Sequence, residues 1–327
     1  MVENADVIVE IKDLKKHFEI RGKGMLHAVD GVNLSIYAGE TLGLVGESGC
    51  GKSTVGNLVM RLLKPSSGEV LFHGENIYTA DKEKSMDLCR KMQIVFQDPY
   101  SSLNPRQTIR TILSQGYLIH KIAKGDELNQ RLLKLCEETG ISPDLLDCYP
   151  HELDGGNRQI VGIARALSLE PEFIVCDEPV SSLDVSVQAK IINKLMELQK
   201  SRKISYLFVS HDLSVVKHIS HRIAVMYLGQ IVELGPSDRI FENPIHPYTI
   251  ALMSAVPRVD VDAKRERIVL QGDVPSPINP KEGCRFAPRC WMCEKECAGC
   301  NQELVEVEPG HFVACQRARM RMGSAEQ

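Results

Sequence analysis

A glycine-rich run constrains the fold of this chain more than any other feature of its sequence. Residues 46–54, GESGCGKST, fit the pattern G-x-x-x-x-G-K-[ST], whose backbone N–H groups cradle the phosphates of a nucleotide. Residues 41–45 before the run are apolar and suit a buried strand, and residues 55–63 after it have the character of a helix. A chance glycine turn is the alternative, but it does not require this strand and this helix. The run therefore predicts an α/β nucleotide-binding fold.

The residue types within the run indicate what each position does. Gly49 and Gly51 allow the tight backbone path, and the helix that starts near Lys52 contributes its positive N-terminal end. We expect Lys52 to reach the β- and γ-phosphates and the Ser53 hydroxyl to ligate Mg²⁺. The predicted nucleotide-binding residues of the run are Gly46, Glu47, Ser48, Gly49, Cys50, Gly51, Lys52, Ser53 and Thr54.

A second apolar segment, residues 173–176, ends in the adjacent carboxylates Asp177 and Glu178. A buried parallel strand would place both at its carboxyl end, where α/β sheets bind ligands. Asp177 is expected to hold Mg²⁺ through its water shell, and Glu178 is expected to polarise the attacking water. Acidic pairs are also common at helix N-termini. The preceding strand and the phosphate loop elsewhere in the chain favour the catalytic interpretation.

Between these motifs, Gly155 and Gly156 lie at the predicted start of a helix. Apolar residues at positions 160, 163, 164 and 167 have the spacing of one buried helix face. Free N–H groups at such a helix start can bind an anion. A Gly-Gly helix start alone is unremarkable, so its meaning depends on the other motifs of the chain.

Together with SSLD at residues 181–184 and SHD at residues 210–212, these motifs resemble those of the nucleotide-binding subunits of ABC transporters. The resemblance covers nearly the whole chain. It implies an α/β P-loop NTPase fold of the ABC ATPase type, with a parallel sheet core and a helical subdomain. Residues 46–54 would be the Walker A motif and residues 174–178 the Walker B motif.

The resemblance also implies roles for single residues. Glu178 would be the catalytic glutamate, and His211 would be the switch histidine that contacts the γ-phosphate. Gln97 would belong to the Q-loop, which senses Mg²⁺ and the γ-phosphate and touches the membrane subunits. Residues 182–184 would form the D-loop. Phe18 would be the aromatic residue that stacks on adenine, although a single aromatic side chain is more often part of a core.

The signature motif departs from the ABC pattern at one important position. The family has LSGGQ, and this chain has LDGGN at residues 153–157. In ABC dimers this loop closes on the γ-phosphate held by the partner's Walker A motif, and the serine hydroxyl donates to that phosphate. An ionised Asp154 cannot donate, although it can cap the helix by accepting from backbone N–H groups. We therefore assign Asp154, Gly155 and Gly156 to nucleotide binding and expect one missing donor.

Composition narrows the class of protein. The 327 residues carry 39 Lys+Arg against 43 Asp+Glu, a formal net charge of -4, so nothing indicates a nucleic-acid partner. The acidic N-terminus lacks an apolar core, so we expect no signal peptide. No stretch approaches the ~18 apolar residues that span a bilayer. We expect an ABC ATPase domain at residues 1–240, with a helical subdomain at about 98–165, and a C-terminal domain at residues 241–327.

Six of the 11 cysteines follow residue 283, which indicates a metal site. Disulfides are disfavoured in a cytosolic ATPase, because the cytosol is reducing. Zinc ribbons normally leave a dozen or more residues between their Cys pairs, whereas three residues separate the two C-x-x-C pairs here. A [4Fe–4S] cluster needs four thiolates and tolerates varied spacing. The six residues are Cys284, Cys290, Cys293, Cys297, Cys300 and Cys315.

Residues 243–249 (NPIHPYT), 283–290 (GCRFAPRC) and 311–315 (HFVAC) resemble the C-terminal domain of dipeptide and oligopeptide import ATPases. That resemblance implies a small Cys-rich domain, and MYLG at residues 226–229 indicates the F-type of the two ATPase subunits. Zinc, or no metal at all, is the alternative to the cluster. The cluster ligands that the family pattern selects are Cys284, Cys290, Cys297 and Cys315.

These resemblances predict a subunit that binds ATP and Mg²⁺ and hydrolyses ATP to energise peptide import. They imply a second related ATPase subunit, two membrane-spanning permease subunits and an extracytoplasmic substrate-binding protein, with this chain at the cytoplasmic face of the membrane. A nickel or other small-solute importer is one alternative. A soluble ABC ATPase is another, although the chain has a single Walker A motif and no heptad run. A redox- or iron-sensing module with ATP as effector is a third.

Overall fold

The structure is a computed structural model that describes residues 6–256 and 268–318. The chain divides into two compact units. The described residues of Met1–Val9, Ile36–Thr41 and Leu71–Val209 form the first unit, and those of Glu10–Ser35, Leu42–Val70 and Ser210–Gln327 form the second.

The described chain contains both strands and helices. The strands are β1 (Val7–Ile20), β2 (Gly24–Tyr37), β3 (Thr41–Val45), β4 (Ser67–Phe72), β5 (Glu75–Asn76), β6 (Met92–Val95), β7 (Phe173–Asp177), β8 (Ser205–Val209), β9 (Arg222–Tyr227), β10 (Gln230–Pro236), β11 (Val305–Glu308) and β12 (His311–Val313). The α-helices are α1 (Lys52–Val59), α2 (Lys82–Lys91), α3 (Pro99–Ser102), α4 (Ile109–Ile119), α5 (Gly125–Thr139), α6 (Gly155–Leu167), α7 (Val185–Arg202), α8 (Leu213–Ile219), α9 (Ser237–Glu242) and α10 (Pro247–Ser254).

The first unit contains the parallel strands β6, β7 and β8, with β7 in the middle. Every residue of β7 and β8 is buried. Such continuous apolar strands are expected where both faces of a parallel sheet are covered. Between β6 and β7 the structure has only helices, 3₁₀ turns and loops, and α6 packs on α3, α4, α5 and α7.

Short polar side chains fix where the helices of the first unit begin. Asp98, Thr108, Asp154 and Asp184 each accept a hydrogen bond from a backbone N–H in the first turn of α3, α4, α6 and α7, respectively. Each cap satisfies a donor that the helix itself leaves unpaired. The sequence therefore sets these helix starts locally.

One sheet of the second unit has five strands in the order β11-β12-β10-β9-β3. Strands β3 and β9 are parallel, and the pairs β9–β10, β10–β12 and β12–β11 are antiparallel. A separate sheet has the order β2-β1-β4. The predicted parallel core is therefore extended by antiparallel strands. Because β12 pairs with β10, the C-terminal region continues this sheet, and the boundary at residue 240 stays a prediction.

A buried carboxylate organises the C-terminal region of the second unit. Glu233 of β10 is fully buried and accepts hydrogen bonds from the N–H groups of Ile245, at 2.9 Å, and His246, at 2.8 Å. Its Oε1 also lies 2.8 Å from Nε2 of His311 on β12. These bonds satisfy a charge that would be costly to bury alone, and they fix the turn that leads into α10. Within the described ranges, none of the helices combines the length and the apolar character that crossing a bilayer requires.

Candidate nucleotide site

The predicted phosphate loop joins strand β3 to helix α1 in the second unit, as the sequence pattern indicates. The N-cap of α1 is Gly51, in a left-handed conformation with φ 110°. The buried Nζ atom of Lys52 donates to the carbonyl oxygen of Gly46, at 2.8 Å, and to that of Glu47, at 3.0 Å. The ammonium therefore lies inside the loop, where phosphate oxygens can replace the carbonyls as its acceptors.

Close contacts explain two of the glycines in the loop. A Cβ atom on Gly46 would lie 2.2 Å from the carbonyl oxygen of Met226, and one on Gly51 would lie 2.1 Å from that of Ala28. Neither backbone oxygen can move without disturbing its own strand. Gly49 has φ 79° and nothing within 4 Å of a Cβ, so conformation and not space selects glycine there.

Two distant residues hold Glu47 of the loop. Its backbone N–H donates to the Tyr248 hydroxyl at 2.8 Å. Its carboxylate accepts two hydrogen bonds from Arg289, at 2.8 and 3.2 Å. Neither Tyr248 nor Arg289 is among the site residues predicted from the sequence. Tyr248 lies in the NPIHPYT segment and Arg289 in the GCRFAPRC segment. The family resemblance of these segments was the only sequence feature that could have indicated a role for the two residues.

Strand β7 of the first unit ends at Asp177, which is 8% exposed, and Glu178 follows it. Glu178 has φ 46°, a left-handed conformation that is uncommon for a residue with a side chain. The side-chain amide of Gln97 donates to Glu178 Oε2 at 3.0 Å. The structure therefore brings the predicted Q-loop residue and the predicted catalytic glutamate together.

Asp154 is the N-cap of α6, one of the two roles that its sequence position allows. Its two carboxylate oxygens accept from the backbone N–H of Asn157, at 2.7 Å, and from the Asn157 side-chain amide, at 2.8 Å. Gly155 and Gly156, the first two residues of α6, lie in the first unit, as do residues 182–184 of the predicted D-loop. A Cβ on Gly156 would lie 2.8 Å from Val187, so a larger residue would push α6 away from the start of α7.

The remaining predicted residues of the ATP site lie in the second unit. His211 is exposed in the turn before α8. Phe18 is half-buried on β1, and the Lys16 ammonium lies 4.9 Å from the centroid of its ring.

A histidine cluster lies beside Phe18 in the sequence. Asp30 lies 3.1 Å from Nε2 of His17 and 3.0 Å from Nδ1 of His27, and it forms an ion pair with Arg285. Burial raises the pKa of Asp30, but the hydrogen bond from His27 and the charge of Arg285 outweigh it and lower the pKa overall. Arg285 thus already neutralises this carboxylate.

The four cysteines that the family pattern selects line one small cavity of about 20 Å³ in the second unit. Phe286, Met292 and His246 also line it, whereas Cys293 and Cys300 are exposed and do not. Burial raises the pKa of Cys290 to about 11 and raises that of Cys284. Among the described residues, only His17, His27 and Asp30 meet the 4.8 Å spacing of a group around a single ion. In the part of the chain that the structure describes, no three cysteine sulfurs meet that spacing.

Comparisons with known proteins agree with this geometry. The family model described as ABC transporter matches residues 29–181, and the model for the oligopeptide/dipeptide transporter C-terminal region matches residues 232–297. The oligopeptide transport ATP-binding protein AppF of Bacillus subtilis (strain 168) is 50% identical over 321 residues, covering 95% of this chain and 98% of AppF. The putative oligopeptide transport ATP-binding protein YkfD of the same organism is 49% identical, covering 95% of this chain and 96% of YkfD.

Solved structures of ATP-binding cassettes are also similar. The dimeric post-hydrolysis state of the ATP-binding cassette MJ0796, bound to ADP and Pi, is 28% identical, with a TM-score of 0.64 over 70% of this chain and 98% of that chain. The cassette cbiO1 of Clostridium perfringens, part of the ABC transporter complex cbiONQ, is 31% identical, with a TM-score of 0.65 over 73% and 93% of the two chains. The predicted P-loop fold of the ABC ATPase type is confirmed. This chain belongs to the ABC transporter ATPases, in the family of oligopeptide transport ATP-binding proteins.

Proposed function

We propose that this chain is the ATP-hydrolysing subunit that energises a peptide importer. The proposal rests on the phosphate loop, which holds the Lys52 ammonium inside it. It also rests on relatives that are named oligopeptide transport ATP-binding proteins and are about 50% identical to this chain over nearly their full length. A nickel or other small-solute importer would use the same ATPase chemistry.

In the proposed reaction each residue has a separate task. Lys52 exchanges its loop carbonyls for phosphate oxygens and balances their charge. Ser53 and Gln97 are the proposed Mg²⁺ ligands, with Asp177 acting through water; bound Mg²⁺ supplies charge neutralisation at the phosphates. Glu178, oriented by its hydrogen bond from Gln97, positions the attacking water. His211 contacts the γ-phosphate, and Phe18 stacks on adenine.

The proposed assembly has this chain and a second related ATPase subunit sandwiching two ATP molecules, at the cytoplasmic face of the cell membrane. Two permease subunits would span the membrane, and an extracytoplasmic binding protein would select the peptide. Closure of the ATPase pair would drive the permeases, and hydrolysis would reset them. The ATPase region would be residues 1–240, and the C-terminal domain residues 241–327.

Uptake of a labelled peptide tests this function. Cells that lack the gene should regain uptake with the wild-type chain and not with Glu178→Gln, because the variant binds ATP but hydrolyses it ~10²–10⁴-fold more slowly. Purification in detergent should recover two permease subunits and a second ATPase. Uptake of nickel but not peptide, or purification of the chain without membrane partners, would contradict the assignment.

We further propose that Cys284, Cys290, Cys297 and Cys315 hold a [4Fe–4S] cluster. Four cysteine thiols that line one cavity match the four thiolate ligands that such a cluster needs. When bound, such a cluster would cross-link the C-terminal segment through four thiolates.

Metal content tests the ligand set. Protein purified without oxygen should be brown and contain about four irons per chain. Ser substitution of any of the four cavity cysteines should reduce the iron content, whereas Cys293→Ser and Cys300→Ser should not. Stoichiometric zinc without iron would refute the cluster.

A further inference from the structure

We propose that Arg289 and Tyr248 are positioning residues for the phosphate loop, and that through them the state of the cysteine cavity sets the affinity of this chain for nucleotide. The proposal rests on the proposed ATP and cluster sites. It concerns how the C-terminal region of the second unit acts on nucleotide binding.

Glu47 is restrained at three points. Its N–H is bound by Tyr248, its carbonyl by Lys52 and its carboxylate by Arg289. Glu47 is the second residue of the phosphate loop, so its peptide orientation sets the path of the N–H groups that follow. Two of these three restraints come from residues of the C-terminal region.

Arg289 lies within the chain segment that bears the cavity cysteines. It ends the 3₁₀ turn Ala287–Arg289, which lies between Cys284 and Cys290. The turn is closed by hydrogen bonds from Arg289 N to Phe286 O, at 3.0 Å, and from Cys290 N to Ala287 O, at 3.2 Å. The turn therefore ties the backbone position of Arg289 to that of Cys290.

Tyr248 contacts residues that line the same cavity. The Tyr248 ring is fully buried, 5.5 Å from the ring of Phe286, and Phe286 lines the cavity. Its backbone N–H donates to Nδ1 of His246, which also lines the cavity. Both restraints on Glu47 thus originate within one or two residues of the cavity lining.

The ion pair also has an electrostatic effect. The Arg289 side chain is 8% exposed and that of Glu47 is 28% exposed, so the pair is largely shielded from solvent. Without Arg289, Glu47 would place an uncompensated negative charge within the loop that must bind a polyphosphate. Both the loss of position and the added charge weaken nucleotide binding.

The test measures nucleotide affinity and not turnover. A fluorescent ATP analogue is titrated into the full-length chain, purified without oxygen, and its Kd is determined. Arg289→Met should raise the Kd about tenfold or more, since hydrogen bonds to a charged group are lost. Arg239→Met is the matched control, because Arg239 forms an ion pair with Glu308 in the same unit without contacting the loop. The control should leave the Kd unchanged.

Two further variants separate charge from position. Glu47→Gln combined with Arg289→Met should recover part of the lost affinity, because the uncompensated charge is removed. Arg289→Lys keeps the charge but not the paired geometry, so its Kd should be intermediate. It also serves if Arg289→Met does not fold. An unchanged Kd in a folded Arg289→Met or Arg289→Lys protein would overturn the positioning role.

The link to the cavity is tested by pairing Kd with iron content. Cys297→Ser should lose iron and raise the Kd, whereas Cys293→Ser should change neither. Loss of iron without any change in Kd would overturn the coupling, even if the chain still supported peptide uptake. Conversely, a failure of peptide uptake with a normal response of the Kd would contradict the proposed transport function and leave this inference standing.

Discussion

The backbone of Glu178 leads to a prediction in which two variants differ in stability but lose the same activity. Its φ of 46° costs a residue with a side chain about 1–2 kcal/mol relative to an ordinary conformation, and glycine avoids that cost. The conformation is held because the Glu178 N–H donates to Val209 O at 2.9 Å, and its carbonyl accepts from Ser181. The strain therefore persists in the folded protein.

We compare Glu178→Gly with Glu178→Ala, because both remove the carboxylate and its bond from Gln97. Glycine loses about 0.4–1 kcal/mol more chain entropy on folding than alanine. After this correction, Glu178→Gly should have the larger free energy of unfolding by up to about 1.6 kcal/mol. Urea unfolding measures the difference, and both variants should lose ~10²–10⁴ in ATP turnover.

A second left-handed residue supplies the control. Glu170, with φ 53°, is exposed and pairs with Arg131 away from the predicted catalytic residues. Its Gly variant should also be more stable than its Ala variant, with ATP turnover unchanged. A Glu178→Gly protein that is less stable than Glu178→Ala would refute the strain argument. Normal turnover in either variant would refute the catalytic role.

Three other predictions concern the nucleotide motifs. Asp154→Ala should lower the free energy of unfolding by about 0.5–2 kcal/mol through loss of the α6 cap, whereas Asp154→Ser should keep the cap, as thermal unfolding would show. The ATP site formed by the partner's Walker A motif and the Asp154 loop lacks the serine donor, so Glu178→Gln should abolish transport, whereas the equivalent mutation in the partner ATPase should reduce it less. Equal losses of transport in the two variants would show that Asp154 acts only as a helix cap. Gly51→Ala should abolish nucleotide binding because its Cβ would lie 2.1 Å from a backbone oxygen, whereas Gly49→Ala, with space for a Cβ, should reduce binding less in the same titration.

Several features followed directly from local sequence. The order of strand, glycine-rich loop and helix from residue 41 could be predicted because apolar runs, glycine and helix caps act over a few residues. The helix, however, ends at Val59 and not at the predicted residue 63. The cap formed by Asp154 is local in the same way, since it needs only the N–H of a residue three positions later. The acidic pair at the end of a predicted strand indicated the role of Glu178, and the family resemblance supplied the roles of Gln97 and His211. All three roles remain predictions.

Other features depended on contacts that no local pattern encodes. Tyr248 and Arg289 reach Glu47 across 201 and 242 positions of sequence, and only the packing of the second unit makes them neighbours. The left-handed conformation of Glu178, which its side chain disfavours, is held in part by the hydrogen bond from its N–H to Val209 at the end of β8. The sequence by itself determined which chemical groups this protein carries and where helices with a local cap, such as α6, begin. Only the tertiary structure decided which distant groups restrain the phosphate loop, because packing brings together residues that share no local pattern.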